Sequence, residues 1–213
     1  MPETEAFDNH LKEYERWFVD NHYVFQSELN AVRKAIPLGK KGVEIGIGSG
    51  IFAQPLGITT GIEPSKAMRE KAKARKINAV DAVAENLPYP DSCIDFALMV
   101  TTVCFLDDIY QSFYEVNRIL STNGYFIIGF VDKNSPLGKI YLDHKDESIF
   151  YKNATFYSTK ELLGILKNTG FEIKSVYQTV FGKLDEINKV QEVITGCGKG
   201  SFVVIKAKIK LKL

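Results

Sequence analysis

The stretch KGVEIGIGSGIFA, Lys41–Ala53, decides how this chain is read. A short apolar run leads into three glycines at alternate positions, Gly46, Gly48 and Gly50. That predicts a buried strand entering a tight turn, because glycine accepts positive φ and lets backbone approach a ligand without a Cβ in the way. Two frames overlap here. Gly48–Ala53 fits the dinucleotide fingerprint G-x-G-x-x-[G/A], whereas Glu44–Gly50 fits an acidic-x-G-x-G-x-G pattern. Glu44 separates them: a carboxylate at that point repels a pyrophosphate and favours a cationic ammonium or sulfonium. Ile51–Leu56 also leaves room for only a brief helix, and a pyrophosphate site uses the free N–H groups of a helix N-terminus.

Working outward, Ile58–Ile62 reads as a second strand ended by Glu63-Pro64-Ser65. Glu63 lies fifteen positions after Gly48, where an acid can accept hydrogen bonds from ribose hydroxyls. A basic amphipathic helix runs from Lys66 to about Lys76, and Asn78–Val83 predicts a third strand. Ile94–Val103 and Gly124–Val131 are nearly continuous apolar runs, the pattern of parallel strands buried on both faces. Between them Asp107–Leu120 is helical, with Ile109, Phe113, Val116 and Leu120 on one face and a turn at Asn123-Gly124. Ser158-Thr159-Lys160-Glu161 is a capping box opening a helix that ends at Thr169-Gly170. Two late strands, near Phe171–Val180 and Ser201–Leu211, flank a glycine-rich connection with a short helix and predict an antiparallel pair. Upstream, the first 36 residues are helical, with Leu11, Tyr14, Trp17 and Phe18 at helical spacing. The expected fold is α/β: a doubly wound, mostly parallel seven-stranded sheet with an antiparallel last strand and an N-terminal helical lid.

Bulk properties narrow the function classes. A chain of 213 residues suits one domain. Its net charge of +1 gives no general attraction to nucleic acid or anionic lipid. The basic helix lacks aromatics for base stacking, so no nucleic-acid partner is expected and the helix reads as a solvated face. Cys93, Cys104 and Cys197 are odd in number and lack a C-x-x-C, which predicts neither disulfides nor a metal site. The acidic N-terminus does not fit a signal peptide, and no apolar run approaches the roughly 20 residues of a membrane span. A cytoplasmic chain without membrane insertion is expected.

Six segments, in order, resemble a known family. They are Val43–Gly50 (VEIGIGSG), Gly61–Ser65 (GIEPS), Ala84–Asp91 (AENLPYPD) leading into Ile94–Ala97, Arg118–Leu120, Gly170–Glu172 and Ser201–Val204. Together they resemble class I S-adenosylmethionine-dependent methyltransferases with a Rossmann-like fold, especially the small-molecule type 11 group related to ubiquinone-biosynthesis enzymes. The resemblance implies S-adenosylmethionine as cofactor. By that likeness the turn Gly46–Gly50 holds the methionine part, and Glu44 supports its ammonium directly or through water. Glu63 clamps the ribose, with Pro64 and Ser65 in the same loop. Backbone at Ala84 and Glu85 meets the adenine edge, and Thr101 at the end of the fourth strand approaches the methionine amine. Val83 stands where many relatives carry an Asp for the adenine amino group, which shifts recognition to backbone and apolar contacts. The implied organisation is a single domain over 1–213: lid 1–36, cofactor-binding core 37–132, acceptor-side insertion 133–157, and a C-terminal helix and strand pair 158–213.

Methyl transfer from a sulfonium is an in-line displacement that needs a base only when the acceptor must lose a proton. No catalytic signature is therefore obligatory. Tyr14, Trp17 and Phe18 of the lid, Cys104 after the fourth strand and Tyr141 of the insertion are candidates for the acceptor pocket. His144 is the candidate general base, because neutral imidazole suits that role near neutral pH, with Tyr151 as a second candidate; the competing reading of His144 is a solvated loop residue. The expected function is methyl transfer to a small-molecule acceptor. The alternatives are a nicotinamide-dependent oxidoreductase using Gly48–Ala53, or a cofactor-binding regulator without catalysis.

Overall fold

In the computed structural model, which describes residues 4–210, three helices come first: α1 (Glu5–Asn9), α2 (Leu11–Asp20) and α3 (His22–Ala35). Alternating elements follow: β1 (Gly42–Ile45), α4 (Ala53–Leu56), β2 (Thr60–Ile62), α5 (Lys66–Ala74), β3 (Asn78–Val80) and β4 (Ile94–Val100). Then come α6 (Ile109–Ile119), β5 (Leu120–Val131), α7 (Pro136–Asp143), α8 (Thr159–Asn168), β6 (Phe171–Thr179), β7 (Ile194–Thr195) and β8 (Phe202–Ile209). Leu211 and Lys212, which the sequence pattern puts at the end of the last strand, lie outside the described residues.

The sheet has the order β3-β2-β1-β4-β5-β8-β6-β7. Its first five strands are parallel, and β8 runs antiparallel to both β5 and β6. The seven strands read from the sequence are all present, and the structure adds β7, a two-residue strand at the edge. β8 does not extend the sheet outward; it lies between β5 and β6. Successive residues of β8 serve opposite faces. Val203, Ile205 and Ala207 join Phe113, Phe126, Leu166 and Phe171 under α6 and α8. Phe202 and Val204 join Phe25, Leu29, Val32 and Phe52 under α3, as the two-residue period of a strand requires. The strand order reverses between β1 and β4, and in open α/β sheets ligands bind at such a switch point, beyond the carbonyl ends of the strands.

Several boundaries move. β1 stops at Ile45, before the glycine turn, and β4 stops at Val100. β5 begins at Leu120, directly after α6. Asn123 and Gly124 fall within its bounds, but the chain folds back there: a Cβ on Gly124 would lie 2.9 Å from that of Leu120 and 2.8 Å from the Ser121 carbonyl oxygen, so the expected turn survives as a bulge inside the strand, without positive φ. The register with β4 records it: Leu120 pairs with Ile94, and Tyr125 pairs with Phe96. The late connection holds a 3-10 turn at Leu184–Glu186 in place of the short helix.

The lid is fastened to α5 by charge. Asp8 accepts hydrogen bonds from the Ser65 hydroxyl (2.7 Å) and the Ala67 N–H (3.0 Å). Glu15 takes both terminal nitrogens of Arg75, at 2.8 and 2.7 Å, with Lys71 at 3.4 Å. The basic helix is thus not only a solvated face; part of it anchors the lid. The insertion is pinned at its base by the buried Asp132, which accepts from the Asn134 N–H, the Thr159 N–H and the Thr159 hydroxyl.

Arg118 holds the Ala84–Asp91 segment against α6. Its guanidinium donates to the Leu87 and Tyr89 carbonyls, to Asp91 and to both oxygens of Glu115, while Glu115 accepts from the Leu87 N–H. Replacing Arg118→Leu removes these donors and leaves carbonyls without partners. Urea unfolding is expected to show a loss of about 2 kcal/mol.

Candidate active site

The site begins where β1 ends. Gly46, Gly48 and Gly50 have φ of 68°, 56° and 80°. A Cβ on Gly46 would lie 2.4 Å from the Thr102 side chain, and one on Gly48 would lie 3.3 Å from the Tyr14 hydroxyl. Glycine is therefore required at Gly46 by both conformation and space, and at Gly48 chiefly by conformation. Glu63 closes the turn from β2. Its Oε2 accepts from the Gly48 N–H at 2.9 Å, and its Oε1 accepts from the Ser65 N–H at 2.8 Å. These bonds bear on the choice between the two frames. The first glycine of the dinucleotide frame already faces a carboxylate, and the helix behind it, α4, has four residues. A pyrophosphate would meet repulsion and little dipole.

Two acids shape the electrostatics. Glu44 is 2% exposed, and its Oε2 has no hydrogen-bond partner among the described residues. Burial, then the neighbouring Glu63, push its carboxyl far above the usual range. Burial raises Glu63 too, while the Ser65 and Gly48 N–H groups pull it down. An enclosed carboxyl without a partner is costly, and a ligand with a cationic end offsets that cost. Glu63 spends one lone pair of each oxygen on backbone and keeps acceptor capacity for hydroxyls. This donor set suits a nucleoside that carries an ammonium-bearing side arm.

Around the turn lies a cavity of about 620 Å³. Gly46, Gly48, Glu63, Pro64, Ala84, Glu85 and Thr101 line it from the sheet side. Tyr14, Trp17 and Phe18 line it from α2, and Tyr141, His144 and Tyr151 from the insertion. Thr101 has φ of 52°, and its N–H donates to Gly129 at 2.7 Å; such strain in a β-branched residue is concentrated at functional sites.

Other named residues sit elsewhere. Glu44 lies behind the turn, Gly50 faces Ile77, and Ser65 is the N-cap of α5. Cys104 lines a separate void of about 20 Å³ with Tyr141 and Tyr151, and burial pushes its thiol up to about 12, which excludes a ready nucleophile. His144 is 68% exposed beside Glu147 at 3.4 Å, so it occupies the cavity rim as a solvated residue. The Glu85 carboxylate accepts from the Asp107 and Asp108 N–H groups and the Ser112 hydroxyl. It braces the start of α6 and leaves backbone to the cavity.

Among the lining residues that sequence reasoning missed, four bear on the chemistry. Phe7, Phe105 and Phe150 meet at ring distances of 5.2 and 5.4 Å, and Tyr151 stacks on Phe105 at 5.8 Å. The fourth is Glu28 on α3, 4% exposed, whose carboxyl burial pushes up to about 8. Its signal was in the sequence. Phe25, Glu28, Leu29 and Val32 share one helical face, and an acid on an apolar face is anomalous.

A carboxyl with a folded-state pKa above its ordinary 4.5 favours the folded state while protonated. For Glu28 that contribution is complete below about 4.5 and is lost as pH rises through about 8. Glu28→Gln is therefore expected to gain on the parent protein as pH climbs from acidic to mildly alkaline. The gain in unfolding free energy should reach at least about 1.4 kcal/mol, read from denaturant midpoints across that range.

Among the described residues no helix is long and apolar enough to cross a membrane, and no group of His, Cys, Asp and Glu is arranged to hold a metal ion. The family model described as a methyltransferase domain matches residues 43–128. A Thermotoga maritima crystal structure, described as a SAM-dependent methyltransferase and possible histamine N-methyltransferase, is 45% identical with a TM-score of 0.95, covering 97% of this chain and 100% of that one. An uncharacterized protein of Methanocaldococcus jannaschii is 41% identical over 203 residues, 95% of this chain and 98% of its own length. The protein solved in complex with the Haloferax volcanii Trm112 methyltransferase activator shares the fold, with 16% identity, a TM-score of 0.74 and 99% of each chain covered. With the carboxylates around the glycine turn, these likenesses remove the nicotinamide reading, and the chain belongs to the class I S-adenosylmethionine-dependent methyltransferases.

Proposed function

We propose that this methyltransferase acts on a small-molecule acceptor held beneath its helical lid. The observation that carries the reading is one cavity shared by the glycine turn, Glu63 and the aromatic lid. When bound, S-adenosylmethionine supplies an activated methyl group on a sulfonium. In this reading the turn at Gly46 and Gly48 holds the methionine portion. Glu63 receives the ribose hydroxyls, and the backbone at Ala84 and Glu85 borders the adenine. Glu44 stands behind the turn as a buried acid whose ionised form an ammonium at that end would stabilise. Thr101 brings backbone to the same end. Gly50 and Ser65 act through shape: one lets α5 pack closely, the other caps it and anchors Asp8.

The lid and the insertion cover the remaining volume with Tyr14, Trp17, Phe18, Tyr141 and Tyr151. Their role is to orient the acceptor and exclude water, effects worth up to about 7–11 kcal/mol in favourable cases. A small organic acceptor is supported by this aromatic enclosure and by the description of the Thermotoga relative as a possible histamine methyltransferase. The division into lid 1–36, core 37–132, insertion 133–157 and C-terminal part 158–213 belongs to the same proposal.

Thermal denaturation tests it directly. S-adenosylhomocysteine is expected to raise the midpoint, and NADH is expected to leave it unchanged; the reverse result would sink the assignment. Glu63→Ala should weaken S-adenosylhomocysteine by at least about tenfold, or about 1.4 kcal/mol, in calorimetry. An unchanged dissociation constant would remove Glu63 from the ribose.

A further inference from the structure

We propose that the methyl acceptor is a cationic amine with an apolar body, and that Glu28 is the residue that receives its nitrogen. The inference rests on the methyltransferase reading above and adds the class of acceptor. Glu28 lines the cavity, is 4% exposed, and makes no hydrogen bond or ion pair with the described residues. A carboxyl so enclosed is costly unless a partner enters from the cavity. The remaining lining points to the sign of that partner. Glu13, Glu28, Glu63, Glu85, Asp107 and Glu147 contribute to it, and among the described lining residues there is no Lys or Arg.

Those acids differ in what they do. Glu63 is bound to the turn and Glu85 to the start of α6. Glu13 and Glu147 are 59% and 82% exposed. Glu28 alone combines burial with a place among Trp17, Phe18 and Tyr141 in the cavity wall. An acceptor bearing a carboxylate or phosphate would enter a field with no cation to offset it. A neutral alcohol would leave the buried carboxyl without a charged partner. An ammonium satisfies the carboxylate and gains from the aromatic faces beside it, while the rings bury its apolar body.

An ammonium nitrogen has no lone pair to offer. Its N–H bond breaks with the electron pair left on nitrogen, and the proton passes to a Glu28 oxygen. The result is a neutral amine beside a neutral carboxylic acid, with atoms and charge conserved. Burial raises the Glu28 carboxyl to about 8, so the ionised form that meets the ammonium is a stronger base than an ordinary carboxylate. Tyr141 and Tyr151, which feel the Glu28 charge, have their own hydroxyls pushed up by burial and do not compete for the proton.

The test uses protein saturated with S-adenosylhomocysteine and reads binding by calorimetry. The probes are phenethylamine and butylamine, their alcohol counterparts, and hydrocinnamate. At least one amine is expected to bind about tenfold or more tighter than its alcohol, with hydrocinnamate weakest. In Glu28→Gln, whose fold is checked by its melting curve, that preference should fall to about twofold while S-adenosylhomocysteine affinity stays unchanged. Equal or tighter binding of an alcohol or of hydrocinnamate overturns the proposal. So does failure of both amines to bind, or a preference that persists in Glu28→Gln. If wild-type protein fails to bind S-adenosylhomocysteine, the methyltransferase reading falls as well; a bound cofactor product without amine preference overturns the present inference alone.

Discussion

One carboxylate joins the parts on which the site depends. Glu63 receives the Gly48 N–H with one oxygen and the Ser65 N–H with the other. It thereby ties the turn after β1 to the loop after β2. Ser65 in turn caps α5 and donates to Asp8 of α1. A single buried group thus sets the shape of the ligand turn and, two residues on, the docking point of the lid. Removing it would unsettle both sides of the cavity, because the N–H groups it serves have no second acceptor among the described residues.

The charge arrangement follows the same economy. Burial raises both acids around the turn, and Glu63 raises Glu44 further, so negative charge there is held at a cost. A cationic ligand relieves that tension, and an anionic one adds to it. The acids outside the cavity serve a different purpose. Asp8 and Glu15 are held down by their partners on α5 and fasten the lid. Placement alone therefore divides the carboxylates between ligand electrostatics and mechanical attachment.

Most of the sheet was legible because its signals are local. The apolar runs in β4 and β5, the capping box at Ser158 and the glycine turn each report on their own neighbourhood. Boundaries moved where tertiary contacts overrode local preference. Asn123-Gly124 has the composition of a turn and folds back as one, yet strand pairing on both sides of it, at Leu120 and from Tyr125 on, makes it a bulge within β5 and not the start of the strand. The candidate site was legible only in its motif residues. The lid's attachment through Glu15 and Arg75 joins residues 60 positions apart, and periodicity carries no information about such pairs. Glu28 was readable as an anomaly, but its face toward the cavity depends on how α3 crosses the sheet. Cys104 and His144 show the converse: chemically suggestive side chains that packing places in a side void and on the rim.

The position of β8 has a consequence for how the chain reaches this state. β6 has no long sheet neighbour until β8 arrives between it and β5. During synthesis the β5 edge and the whole of β6 must wait, with their backbone groups open, for a strand made later. Those contacts also span large sequence separations, which slows their formation. Exposed strand edges recruit other chains, so the interval before β8 inserts is the vulnerable period in biogenesis. The lysines at 206, 208 and 210, interleaved with the apolar residues of this late strand and its end, give it a charge that opposes self-association before it docks.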